Sequence, residues 1–166
     1  MGDRDYYLLD DENTIKIRNA YRQYIERLFI LAGYGAENAA ESAETVLALE
    51  TEIAKVSVDR ATLRDVHKNY NKMTVKEFTA RYDFLDIFFK ETGICKSVEL
   101  NAGQVTFFEG LTKLLKKTSV ENQKEYLKFK LLNSAANYLS DDFVNANFDF
   151  YGRALQGKEE LQPRWK

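Results

Sequence analysis

Residues 36–57 read AENAAESAETVLALETEIAKVS. Apolar side chains fall at Ala39, Ala43, Val46, Leu49, Ile53 and Val56. Those steps of three and four residues place them along one face of an α-helix. No glycine or proline interrupts the run, so nothing in it opposes a helix. The small residues at its start let a neighbouring helix approach closely.

Working outward, the same spacing recurs. Upstream, Ile17, Tyr21, Tyr24, Leu28 and Leu31 form a second stripe. Gly33 and Gly35 end that helix, because glycine takes the left-handed conformation without a Cβ penalty. Residues 1–13 are polar and aromatic without a period and read as a loop. Downstream, residues 59–72 are looser, with one short helix predicted at 61–67. Thr74-Val75-Lys76-Glu77 is a capping-box pattern. Behind it Val75, Phe78, Tyr82, Leu85 and Phe89 keep helical spacing up to Gly93. Val98 and Leu100 alternate with Ser97 and Glu99, which predicts a very short strand or hairpin near residues 97–100.

Asn101 and Gln104 repeat the capping logic before a stripe of Val105, Phe108, Leu111 and Leu115. Thr118-Ser119-Val120-Glu121 opens the next helix, with Tyr126, Phe129, Leu132, Ala136 and Leu139 on one face. Ser140 precedes a last helix running to about Leu155, and a polar tail follows Gly157. The expected fold is therefore all-α: a single domain over residues 1–166, of about six helices with short connections.

Composition supports a packed chain. Of 166 residues, 45% are apolar and 30% charged, with one proline. The net charge is −2 with signs interspersed, which gives no electrostatic footprint for nucleic acid or an anionic membrane. The densest basic stretch, Lys113, Lys116 and Lys117 with Lys124 and Lys128 beyond, reads as a solvated helix face. No apolar run is long enough to span a bilayer.

Catalytic and metal chemistry find little to work with. A zinc site needs three or four converging His, Cys, Asp or Glu ligands. The chain has one histidine, His67, and one cysteine, Cys95. A His-His-Glu site is thus impossible within it. His67 is expected at a helix end or on the surface, and Cys95 as a small buried hydrophobe rather than a nucleophile. The acidic pairs Asp10-Asp11 and Asp141-Asp142 precede predicted helices, where they favour the positive end of the helix dipole. No glycine-rich phosphate loop or serine elbow is present. The expected catalytic and metal residues are none.

Two aromatic clusters leave the stripes: Tyr6-Tyr7 and Phe148-Asp149-Phe150-Tyr151. With Trp165 they lie near the two ends. Tyr6, Tyr7, Phe150, Tyr151 and Trp165 are candidate contacts to another part of a larger protein. The competing expectation is that they tuck the termini onto the chain's own core.

Several short motifs carry a family resemblance. Asp3-Arg4-Asp5-Tyr6-Tyr7 looks like the "P-x-R-D-Y-Y" segment of neprilysin, endothelin-converting enzyme and their bacterial relatives. Leu49-Glu50-Thr51-Glu52-Ile53-Ala54 resembles that family's "L-E-x-E-I-A" helix. Tyr70-Asn71-Lys72-Met73-Thr74 resembles its "Y-N-K-M-T" turn. Phe150-Tyr151-Gly152 with Leu155-Gln156-Gly157, and Pro163-Arg164-Trp165, resemble two later segments. The motifs keep family order across nearly the whole chain.

The resemblance implies a two-lobed zinc endopeptidase, one lobe carrying H-E-x-x-H and E-x-x-x-D zinc motifs and the other a helical cover. It implies that this chain is a piece of the covering lobe. No cofactor belongs to the chain itself, and zinc belongs to the parent. Its partners would be the parent's catalytic lobe and peptide substrates, with no nucleic acid and no membrane contact from this segment. Animal members are rich in disulfides, so the single cysteine implies a bacterial parent. That parent is expected to be exported, periplasmic or lipid-anchored, with a cytoplasmic location as the alternative. The implied function is a non-catalytic lobe that restricts substrate access. The alternative is a freestanding helical protein–protein interaction module.

Overall fold

The computed structural model describes residues 1–161. In chain order the elements are α1 (Asp5–Leu8), α2 (Glu12–Leu31), α3 (Ala36–Val56), α4 (Arg60–Leu63), β1 (Lys72–Thr74), α5 (Val75–Arg81), α6 (Asp86–Glu91), β2 (Glu99–Asn101), α7 (Val105–Lys117), α8 (Val120–Ala135) and α9 (Asp141–Asn147). Single 3₁₀ turns cover Asp83–Leu85 and Ala136–Tyr138, and a π-helical segment covers Phe148–Ala154. The fold is predominantly all-α, with one two-stranded antiparallel hairpin.

The chain packs as two compact units. The first holds Met1–Ala54 and the described residues from Ser119 onward. Its core is built on α2, where Tyr21, Tyr24, Ile25, Leu28 and Phe29 are all buried. Their spacing of i, i+3, i+4, i+7 and i+8 is the full width of an apolar helix face. Ala39, Ala43 and Val46 of α3 are completely buried against that face, along with Phe129 of α8. Burying a side chain such as Phe129 contributes about 1.5–3 kcal/mol before the entropy of ordering is subtracted. The expected loop at residues 1–13 is instead a short helix and the start of α2. Asp11 is the cause of the early start: its carboxylate accepts the Thr14 backbone N–H at 3.0 Å and caps the helix. Gly33 ends α2 as expected, with φ of 94°.

The second unit is Lys55–Thr118. Its hairpin pairs Lys72 with Asn101, Met73 with Leu100 and Thr74 with Glu99. Thr74 then serves two elements, closing β1 and capping α5 through the expected box with Glu77. The helix expected through Phe89 breaks at Tyr82 (φ −128°, ψ 73°). There the Tyr82 ring returns to Phe78 at 5.0 Å and Phe108 at 5.4 Å and is 2% exposed. Phe78, Tyr82 and Ala102 form the small core of this unit. Asn101 does not cap α7 as expected: it ends β2, and Gln104 is the N-cap residue, without a side-chain capping bond, as Ser140 is at α9. Ser119 does cap α8, accepting the Asn122 N–H at 3.2 Å.

Candidate functional site

The donor residues stand apart from any converging site. His67 is exposed in the loop after α4. Cys95 is also exposed, which corrects the expectation of a buried thiol. Its short loop between α6 and β2 holds it at the surface, with Sγ 3.1 Å from the Ser97 hydroxyl. The side-chain and backbone hydrogen bonds from Ser97 hold the thiol below its usual pKa. Asp10 pairs with Arg18 at 2.8 Å, while Asp141 and Asp142 occupy the first turn of α9. Among the described residues no three His, Cys, Asp or Glu side chains gather where one cation could be held. The donor set does not fit a zinc ion.

The family-like motifs converge elsewhere. In the first unit, α1 turns the Tyr7 side chain into the core, and its hydroxyl donates to Glu50 Oε2 at 2.7 Å. The Met1 ammonium group donates to the Tyr7 hydroxyl and lies 3.9 Å from Glu50 Oε2. Arg18 donates to the Tyr7 carbonyl at 2.7 Å, which pins α1 against α2. Burial first, and the Glu50 charge second, push the Tyr7 and Tyr21 hydroxyls far above the ordinary tyrosine pKa. Thus the "R-D-Y-Y" and "L-E-x-E-I-A" segments form one buried polar contact inside an aromatic core. Sequence reading passed over Glu50. The available signal was its place four residues after Val46 and four before Ala54, on the apolar face of α3.

The second aromatic cluster meets the same core. Phe150 is 2% exposed and stacks on Tyr24 at 5.4 Å with 12° between the rings. Tyr151 sets its edge against Tyr24 at 5.7 Å. The Tyr24 and Tyr151 hydroxyls both donate to Asn133 Oδ1, at 2.8 and 3.2 Å, and Asn147 donates to the Tyr24 hydroxyl at 3.1 Å. Tyr7 and Phe150 therefore tuck the N-terminal segment and the π-helical segment onto the unit's own core. Tyr6, Phe148 and Tyr151 remain half-buried at its edge. Trp165 lies outside the described residues.

The second unit holds a cleft of about 710 Å³ lined by Phe78, Leu85, Phe88, Phe89, Phe107 and Phe108 among others. Asn101 and Gln104 contribute polar groups to it, and its walls carry no charged side chain. Such walls suit an apolar side chain. The sequence signal was the paired Phe88-Phe89 and Phe107-Phe108, in which Phe89 and Phe108 pack against the core while Phe88 is 54% exposed.

Comparison with known proteins gives this architecture a family. A model described as peptidase family M13 matches residues 1–166. Endothelin-converting enzyme 1 of Cavia porcellus is 28% identical over 173 residues, covering all of this chain and 23% of that protein. Neprilysin-2 of Drosophila melanogaster is 28% identical over 169 residues, covering 96% of this chain and 21% of that protein. Among solved structures, the open state of the Mycobacterium tuberculosis zinc metalloprotease Zmp1 superposes with a TM-score of 0.90 at 28% identity, over 99% of this chain and 26% of that one. The chain thus spans about a quarter of the length of the relatives it matches. Matched along its whole length, the chain belongs to peptidase family M13 as part of its N-terminal lobe.

Proposed function

We propose that this chain is the non-catalytic helical lobe of a zinc metalloendopeptidase and restricts which substrates reach a catalytic centre carried elsewhere in the parent. The observation that carries the reading is the full-length match to family M13 by a chain whose described residues assemble no metal-ligand set. A lobe of this kind acts by exclusion. Its walls admit flexible peptides, reject folded proteins and remove bulk water, which strengthens electrostatics at a metal centre. The Zmp1 relative is a zinc metalloprotease described in an open state. The partner would be the catalytic lobe of the same polypeptide and the substrates peptides. The lone cysteine supports a bacterial parent.

The test compares two substrates in the full-length parent: a short peptide, and the same sequence inside a tightly folded host domain. The peptide is cleaved and the host is not. The 166-residue chain alone cleaves neither and retains no zinc after dialysis, measured by elemental analysis. Equal cleavage of both substrates by the parent, or stoichiometric zinc in the chain alone, overturns the reading.

A further inference from the structure

We draw no further inference here: the strongest candidate, the cleft of the second unit that Phe88 and Phe89 of α6 and Phe107 and Phe108 of α7 line, is an open apolar surface, and nothing in the structure shows what covers it.

Discussion

The Tyr7 hydroxyl donates to Glu50 Oε2 at 2.7 Å across 43 positions of sequence, and both residues are less than 8% exposed. The bond joins α1 to α3 inside the first unit. Removing the hydroxyl leaves a buried carboxylate short of a donor, and hydrogen bonds to charged groups contribute about 1.5–3 kcal/mol. Tyr7→Phe is expected to lower stability in urea by about that amount. Tyr7→Phe combined with Glu50→Met should be less destabilised than the sum of the two single variants, because no stranded carboxylate remains. Strict additivity would show that the two side chains do not act as a pair.

The buried tyrosines give stability an alkaline limit. Burial holds Tyr7, Tyr21 and Tyr24 well above the ordinary tyrosine pKa and pushes Tyr126 up to about 12. In the unfolded chain these groups ionise near 10. Above that value the folded state keeps protons that the unfolded state releases, so stability is full below about pH 10 and falls as pH rises further. Phenolate absorbance and helical circular dichroism should therefore change together in part of an alkaline titration. Complete tyrosine ionisation with the helix signal intact would contradict the burial.

How much of this was legible in the sequence depends on how local the cause is. Helices α2 and α3 and the Thr74–Glu77 cap were legible because periodicity and capping act over a few residues. The break at Tyr82 was not, since Val75, Phe78, Tyr82, Leu85 and Phe89 keep helical steps right through it. What bends the chain there is the Tyr82 ring packing on Phe108, a contact from another helix. The hairpin is similar: a strand near 97–100 was expected, but its partner at Lys72–Thr74 lay inside a motif read as a turn. Cys95 was expected inside because cysteines usually are, whereas its loop keeps it at the surface. Tyr7 and Phe150 belonged to no stripe because each is held by rings from α2, distant in sequence.

The capping box at α5 carries its own prediction. Thr74 Oγ1 accepts the Glu77 N–H at 3.2 Å, and Glu77 Oε2 accepts the Thr74 N–H at 2.8 Å. Thr74→Ala is expected to cost about 1 kcal/mol, seen as a lower melting midpoint. The hydrogen bonds from the Thr74 backbone and hydroxyl hold the Glu77 carboxyl below its usual pKa. Its stabilising effect is therefore present above the unfolded carboxylate value and lost as pH falls through the lower folded one. The gap in stability between Glu77 and Glu77→Gln proteins should shrink with acidification. A gap independent of pH would show that the charge plays no part.

Gly152 lies under the ring of Phe148, one turn earlier in the π-helical segment. A Cβ at Gly152 would stand 2.3 Å from Phe148 Cδ2 and 2.4 Å from Cε2, so alanine there must displace the ring. The ring is also the platform for the Arg153 guanidinium, 5.3 Å from its centroid. Two effects oppose each other in Gly152→Ala. Alanine favours a helical backbone over glycine by about 1 kcal/mol, while overpacking costs about 1–3 kcal/mol. The displaced ring loses both its packing and its cation, so the clash wins and Gly152→Ala is expected to be destabilising. Phe148→Ala is destabilising by itself because it removes a half-buried ring. In that background the clash is gone and only the backbone preference remains. Gly152→Ala should then raise stability rather than lower it, a reversal of sign readable from urea midpoints of the four proteins in the cycle. If alanine at 152 stabilises the chain with Phe148 in place, the ring swings aside freely and the close approach exerts no constraint.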